Sequence, residues 1–578
     1  MEQFDAAADL PYIFPDQDLL RHLIDVYFEE ESTIAPLLYR PTFEARLSCH
    51  LHEYDRSFGA LVLAVAAIAS RYCNDDPRVL LDPTAKTSAG WHWYRQIRPI
   101  PSAFSSPPNL HNVQTYVLCS FYASATNAPP EYTWALPAFG IRMAQAVGAH
   151  RAKLGTQPSP EQEEWKRAFW ALYCVDIFIA VATGRPMAMG VDDFDVQPPL
   201  GVDEAYWELP DPRLVFVQPD GVPSSNACWT HICSILDIMG FAHQTIYAPR
   251  RSRLSKELSV PDWDKRTIGA IDNALNEWVD AIPDHLRWNP HNPNELFLRQ
   301  SVSLYTTFYF VNIIVHRPFI ASRVGTSPVS INWPSLAICV NAARACCHVV
   351  DMYHRRGFPP MFSVQIMVFY AATVLIMNVW RNKALGNDEQ VNKDLQDVHI
   401  CMGALRISEK RWQNSGRLVD LITAMLSDLE NVPTQSPTHP NTQKRTFDSA
   451  YLDEENWTFD TMPPTLDGPG FDDLFGPLPI HTADLERPLA ADMPEERDAD
   501  YTSWFAQRFA SDFVRADWSS DEAFAMGSGM STASIVEHNA DMNAETRYYA
   551  ENNERLRTMD DTRLEDQWIG VEIDPRDG

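Results

Sequence analysis

The feature that most constrains the fold is one helical segment with a clear end, at residues 161–199. Its sequence is EQEEWKRAFWALYCVDIFIAVATGRPMAMGVDDFDVQPP. Apolar side chains recur at steps of three and four residues, which places them on one face of a helix: Trp165, Phe169, Leu172, Tyr173 and Ile177. Gly184, with Pro186 just after it, is typical of a helix end. The segment predicts a helix with one buried face, followed by an acidic turn.

Helical patterning of this kind continues over most of the chain. From Asp18 to about Glu430 the sequence has helical periodicity, interrupted by proline-rich breaks at 99–108, 198–223 and 283–293. Strand-type alternation is scarce. The segment 58–72 is apolar on all sides, which is typical of a helix surrounded by other helices. We therefore predict an all-α, multi-helix domain over residues 18–430, preceded by a short N-terminal extension at 1–17.

Charge and cysteine usage narrow the class of protein. The 578 residues carry a net charge of −30, which disfavours direct binding to the phosphates of nucleic acid. The ten cysteines are scattered through apolar helical patterns and lack paired zinc-ligand spacing, so we expect free thiols in a reducing compartment and no metal site. The N-terminus does not have the layout of a secretory signal. The apolar run 361–380 contains polar residues, which favours a buried core helix over a membrane span.

The composition changes sharply after Glu430. Residues 431–578 contain 11 Lys and Arg against 31 Asp and Glu, and are rich in Pro and Thr. This pattern predicts an acidic, largely disordered tail. Within it, five aromatic and aliphatic side chains stand among carboxylates, as in amphipathic activation segments: Trp457, Phe459, Phe471, Leu474 and Phe475. A further segment, 502–518, has a helical aromatic pattern that fits either binding to a coactivator or docking onto the protein's own core.

The order of residues in 161–199 resembles the regulatory middle region of fungal zinc-cluster transcription factors. The resemblance is carried by Trp165, Phe169, Trp170, Tyr173, Asp176, Gly184, Arg185 and Pro186. Five further segments occur in the order expected for that family: 19–47, 109–151, 274–288, 304–320 and 335–350. The chain departs from the family pattern where Lys166 and Arg167 replace a longer basic run, where Ile177 replaces a common Arg, and at Tyr39, often His.

The resemblance implies a nuclear regulator of RNA polymerase II transcription. Its members usually carry an N-terminal zinc cluster of six close cysteines, which this sequence lacks. We therefore expect a truncated or split gene product, or a regulator that reaches DNA only indirectly. Zinc would belong to the missing cluster alone. The expected partners are a coactivator or other transcription proteins, a second copy of the chain, or a DNA-binding partner chain; no membrane is implied.

The sequence leaves two other classes of function open. The acidic turn Asp192, Asp193 and Asp195, together with residues 387–394, is reminiscent of the metal-binding motifs of all-α enzymes that act on prenyl diphosphates. The hydroxyl needed at Val391 is absent, and no G-x-S-x-G, P-loop or H-E-x-x-H motif occurs, so we expect no enzymatic activity and no catalytic or cofactor-binding residues. A helical scaffold without a transcriptional role is the weaker alternative.

Three smaller features complete the set of predictions. The basic cluster Arg250, Arg251, Arg253 and Lys256 is a candidate nuclear-import patch or an ordinary solvated loop. His316 and Arg317 end a long apolar helix, where they mark a ligand pocket or satisfy the last carbonyls of the helix. Asp176 is expected to be structural, paired with Arg185 or with an arginine on another helix.

Overall fold

A computed structural model describes residues 11–97, 107–152, 158–247, 263–320, 334–430 and 478–486. Over these ranges every regular element is a helix, and none is a strand, which confirms the all-α prediction. The α-helices are α1 Gln17–Glu30, α2 Arg40–Ser48, α3 Leu51–Tyr54, α4 Arg56–Ala69, α5 Trp91–Tyr94, α6 Leu110–Ser124, α7 Pro130–Ala146, α8 Pro160–Thr183, α9 Ala227–Ile246, α10 Trp263–Asp280, α11 Glu295–His316, α12 Ser335–Arg355, α13 Gln365–Leu385, α14 Asp388–Glu409, α15 Gln413–Glu430 and α16 Thr482–Leu485. Short 3₁₀ turns occur at Pro77–Val79, Lys86–Ser88, Glu204–Tyr206, Asp284–Leu286, Arg317–Phe319 and Phe362–Val364.

Helices that follow one another in the chain mostly pack together. Helix α4 lies against α6, α6 against α7, and α8 against both of these and α9. The second half continues with α11 on α12, α12 on α13, α13 on α14 and α14 on α15, and α9 joins the halves by packing on α11. One continuous apolar core, from Leu19 to Leu485, runs through all of these contacts. The fold is therefore a multi-helix body in which most helices pack on their neighbours in the chain.

The predicted helix of the opening segment is α8, and both of its ends are chemically defined. The Ser159 hydroxyl accepts a hydrogen bond from the backbone N–H of Gln162 at 3.3 Å, and Pro160 occupies the first turn. At the other end Gly184 has φ +66°, the left-handed conformation that closes a helix. The predicted helix end at Gly184 is confirmed.

The most apolar helices lie inside the body. Helix α4 is buried from Phe58 to Ala69 with the exception of Ala60, as predicted for 58–72. Two described helices, Ser335–Arg355 and Phe362–Lys383, match a membrane span in length and composition alone; in their most apolar stretches 61% and 78% of the residues are buried within the protein. This burial is what a core helix shows, and it favours that interpretation of 361–380.

The predicted disordered tail contains one segment that the structure describes. Residues 478–486 lie against the body, with α16 in contact with α10 and α12. The Leu485 side chain has no exposed surface, and the Thr482 side chain is also buried. Within this tail, predicted to be largely disordered, the chain is folded onto the domain at this place, because Leu485 completes the apolar core there.

Candidate functional site

Helix α8, which carries the motif residues, is buried on most of its sides and not on one face alone. Glu163, Arg167 and Asp176 are as buried as Phe169, whereas Trp165 is only half-buried. The prediction of a single buried face was wrong. The reason is that residues 186–207 return along the helix and cover the side that would otherwise face water.

Aromatic packing joins this returning loop to the helix. The Phe194 ring lies among three rings of the motif, with centroid distances of 5.3 Å to Phe169, 5.4 Å to Trp170 and 4.7 Å to Tyr173. All three contacts are edge-on, the geometry that aromatic quadrupoles favour. The rings of Phe169, Trp170 and Tyr173 therefore form the pocket that holds Phe194.

Hydrogen bonds fix the same loop at three further points along α8. The Trp170 indole N–H donates to the carbonyl oxygen of Gln197 at 3.0 Å, and the N–H of Leu200 donates to the Glu163 carboxylate at 3.0 Å. Near the C-terminal end, the N–H of Ala188 donates to Asp176 Oδ2 at 2.7 Å. A backbone that runs without secondary structure across a core is satisfied in this way by side chains.

The two basic residues of the motif serve the same interface. Lys166 pairs with Glu163 one turn earlier. Arg167, only 1% exposed, bonds to Glu204 at 2.5 Å and lies over the Trp207 ring, 4.3 Å from its centroid. Because both side chains have charged partners within the protein, Lys166 and Arg167 stabilise the fold here.

Tyr39, in the first part of the chain, also contacts this interface. Tyr39 stacks on Trp207 with ring centroids 5.0 Å apart, and its hydroxyl donates to Glu208 at 2.9 Å. Tyr39, Trp207 and Phe216 form a small apolar cluster of their own. Tyr39 therefore helps to hold the loop that covers α8.

Asp176 and Arg185 do not pair with each other. The Arg185 guanidinium binds Glu131 at 2.5 Å and lies over the Trp134 ring, whose indole N–H donates to the Pro186 carbonyl at 2.9 Å. Asp176 instead holds the backbone after the helix, as described above, so the expected pair with Arg185 was wrong. Of the arginines on other helices, Arg142 on α7 lowers the pKa of Asp176 by its charge. Burial raises the pKa of Asp176 to about 7, against the lowering effect of the backbone N–H groups of Ala188 and Met189.

The acidic turn does not converge on a metal position. Asp193 accepts the N–H of Gly190 at 2.8 Å, closing its own turn, and Asp192 is exposed. Asp195 accepts the N–H of Ala152 at 2.6 Å and lies 3.7 Å from Arg151. These carboxylates hold loops together, as the sequence alternative of a solvated loop suggested.

The second acidic stretch, 387–394, is equally structural. Asp394 has no exposed surface and accepts hydrogen bonds from Arg344 at 2.6 Å and from the Asn378 amide at 2.7 Å. Asn387 caps α14 by accepting the N–H of Gln390. With the Asp394 carboxylate committed to α12 and α13, the enzyme alternative finds no support in the geometry.

His316 and Arg317 bridge helices instead of capping one. The buried His316 ring lies 3.1 Å from Asp272 and 3.4 Å from Ser335, which connects α10, α11 and α12. The Arg317 guanidinium lies over the Tyr247 and Tyr370 rings, at 5.8 Å and 5.2 Å. Neither of the two sequence interpretations, a ligand pocket or a carbonyl cap, describes this arrangement.

Two clusters escaped the sequence predictions. His50, His52 and Glu53 have ligand atoms within 4.8 Å of one another, and the H-x-H-E spacing is the signal that would have found them. Coordination through His52 Nε2 would require the hydrogen on Nδ1, which is buried with no acceptor among the described residues. The cluster therefore fits a metal ion poorly.

The second missed cluster lines a cleft of about 440 Å³. Its acidic side chains are largely paired already: Glu30 with Arg299 at 2.8 Å, Asp76 with Arg78 at 2.8 Å, and Asp75 with Lys86. Because these carboxylates are neutralised from within the protein, the cleft does not specify a ligand.

Two predicted sites lie outside the described residues. They are the basic patch Arg250, Arg251, Arg253 and Lys256, and the activation segment Trp457, Phe459, Phe471, Leu474 and Phe475. Both remain predictions.

Comparison with known proteins agrees with the motif. Residues 24–280, from within α1 to the end of α10, match the model of the fungal specific transcription factor domain. The chain is 25% identical over 422 residues to an ABC-transporter-regulating transcription factor of Aspergillus oryzae, covering 68% of this chain and 44% of that protein. It is 22% identical over 411 residues to cutinase transcription factor 1 alpha of Fusarium vanettenii, covering 69% and 42%.

A nitrogen assimilation transcription factor of Emericella nidulans is 22% identical over 428 residues, covering 69% of this chain and 45% of that protein. The chain thus spans less than half the length of these curated relatives. No solved structure matches it. The match over residues 24–280 is with the family that the motif of α8 predicted, the fungal specific transcription factor domain.

Proposed function

We propose that the chain regulates RNA polymerase II transcription in the nucleus, with residues 18–430 as the regulatory body and 431–578 as an activation region. The observation that carries this is the family domain at residues 24–280, together with relatives that are named as transcription factors. Within the body, the motif residues of α8 contact the loop 186–207, so they stabilise the domain.

Contact with DNA would be indirect for this stretch of chain. A net charge of −30 opposes binding to phosphates. DNA recognition and zinc would then belong to a zinc cluster elsewhere in the protein or to a partner chain. The expected partners are a coactivator or other transcription proteins, and a second copy of the chain or a DNA-binding partner chain.

The proposal excludes an enzymatic role. The two acidic stretches that an all-α prenyl-diphosphate enzyme would use are separately bonded to loop backbone and to α12 and α13. Magnesium-dependent turnover of a prenyl diphosphate by the purified chain would contradict the proposal.

The candidate import patch belongs to the same proposal. Alanine at Arg250, Arg251, Arg253 and Lys256 is expected to reduce nuclear accumulation of the tagged chain, since such patches act through their charge. Unchanged nuclear accumulation in imaging would leave the cluster an ordinary loop.

A tethering experiment tests the function. The full chain, fused to an unrelated DNA-binding domain, is expected to raise transcription of a reporter several-fold. Alanine at the five activation residues, Trp457, Phe459, Phe471, Leu474 and Phe475, should remove most of this effect, because partner grooves bind the apolar side chains. A matched variant with other large apolar residues at the same five positions should retain it. A reporter that stays at background at normal protein levels, both with the full-chain fusion and with a fusion of residues 431–578 alone, would reject the activation role.

A further inference from the structure

The segment 478–486 occupies a surface made by three helices of the body. The Tyr309 hydroxyl of α11 donates to the Pro479 carbonyl at 3.0 Å, and the Asn341 amide of α12 donates to the Leu485 carbonyl at 2.8 Å. From α10, the side-chain Oδ1 of Asn276 accepts both the N–H and the hydroxyl of Thr482, at 2.9 Å and 3.1 Å. The segment is therefore held at both of its ends and in its middle.

Burial and internal order show which groups determine this docking. Leu485 and Thr482 are buried against the body, whereas Ile480 is 42% exposed. Asp484 accepts the N–H groups of Ile480 and His481, which fixes the turn that starts α16. The His481–Asp280 pair, 3.3 Å apart, is largely exposed and contributes little. Apolar burial of Leu485 and hydrogen bonds to Thr482 therefore give this surface its selectivity.

The position of the segment in the chain connects it with activation. The predicted activation residues Phe471, Leu474 and Phe475 precede Leu478 by three to seven positions in the sequence. A docked Leu478 thus anchors these residues to the body, and a tether within the same chain makes even weak docking effective.

We infer that the surface of α10, α11 and α12 is a peptide-binding site whose occupant is residues 478–486 of the same chain, and that this docking withholds the adjacent activation segment from coactivators. The second half rests on the proposed function; the first does not. Release of the segment would then increase activation without any change in the body.

Peptide binding in solution tests the site itself. Leu485→Asp places a charge where no surface is exposed, so the segment should leave the body. Circular dichroism should show the helical content of the unsubstituted chain, which distinguishes release of the segment from unfolding of the body. A fluorescent peptide of residues 478–486 should bind the full-length L485D chain at least ten times more tightly than the unsubstituted chain, whose site is filled. Ile480→Asp, the same change at an exposed position, should behave as the unsubstituted chain.

A variant of the body side confirms where the peptide binds. Asn276→Ala in the L485D chain should weaken the peptide by about fivefold or more, because two hydrogen bonds to Thr482 are lost. Absence of peptide binding to L485D, or equal binding to all chains, would overturn the site.

Reporter transcription then tests the effect on activation. In the full-length fusion, L485D should raise transcription several-fold above I480D, and alanine at Phe471, Leu474 and Phe475 should abolish the rise. If the L485D and I480D fusions are active to the same degree, docking of residues 478–486 does not withhold the activation segment. The docking site itself would still stand. If the peptide binds as expected while every fusion is silent, the proposed activation function fails and the withholding falls with it.

Discussion

At the scale of single residues, the buried carboxylate of Asp176 accepts a hydrogen bond from the backbone instead of pairing with Arg185. Its Oδ2 accepts the N–H of Ala188, while its Oδ1 has no hydrogen-bond partner among the described residues. Burial raises its pKa to about 7, so the folded protein favours the protonated form more than the unfolded chain does. The stabilisation from this group is complete below about pH 4, the ordinary range for an aspartate, and is lost as the pH rises to about 7.

The expected result is that Asp176→Asn stabilises the protein increasingly from pH 4 to pH 8. A separation of about three pKa units corresponds to at most about 4 kcal/mol, and we expect a gain of about 2–3 kcal/mol at pH 8 and nearly none at pH 4. Urea unfolding at a series of pH values measures this. Asp192→Asn, in the exposed part of the same loop, is the control and should keep the original pH profile. A D176N chain whose pH profile matches the unsubstituted protein would contradict the pKa argument.

At the scale of helices, the close approach of α7 to its neighbours depends on Gly140. A Cβ atom at this position would lie 2.7 Å and 2.8 Å from the methyl groups of Leu172 on α8 and 2.9 Å from Cβ of Tyr116 on α6. In contrast, a Cβ on Gly403 in α14 would meet nothing within 4 Å. The same substitution should therefore have opposite effects on two helices.

We expect Gly140→Ala to lower the free energy of unfolding by about 1–3 kcal/mol, because the helices must separate to admit the methyl group. Gly403→Ala should raise it by about 0.5–1 kcal/mol, since alanine is the better helix former and no contact opposes it. Equilibrium unfolding in urea compares the two variants. A stabilised G140A would show that α7 can shift away from α8 at no cost.

At the scale of the whole molecule, the distribution of thiols reports on the integrity of the body. All ten cysteines are free; Cys49 is exposed, Cys73 is partly exposed, and the others are buried. Burial raises the pKa of several of these thiols, among them Cys119, Cys228 and Cys339, which disfavours the reactive thiolate. The expectation of scattered free thiols agrees with this arrangement.

Labelling of the native protein with a thiol reagent should therefore modify Cys49 first and Cys73 more slowly. The eight buried thiols should react only when urea unfolds the body. Mass spectrometry of peptides at timed intervals identifies the labelled residues, and Cys49→Ser should remove the fast phase. Rapid labelling of Cys174 or Cys233 in the native state would mean that the interface of α8 with α9 opens readily.

Local patterns were sufficient for the helices and for the class of protein. The three- and four-residue spacing of apolar side chains, the glycine at position 184 and the charge difference after Glu430 are properties of short windows of sequence, and the motif of α8 identified the family domain. These features act through local backbone preferences and through the average burial of one residue type.

Pairing between distant residues was decided only by the tertiary structure. Asp176 accepts the N–H of Ala188 and does not pair with Arg185, which binds Glu131. Thr482 donates to Asn276, on a helix some two hundred positions earlier in the sequence. A charged or polar side chain accepts many partners of suitable chemistry, and packing of the whole body selects one of them. The sequence thus determined the helices and the family to which the domain belongs, while the fold determined which side chains hold the loop over α8 and which surface receives residues 478–486.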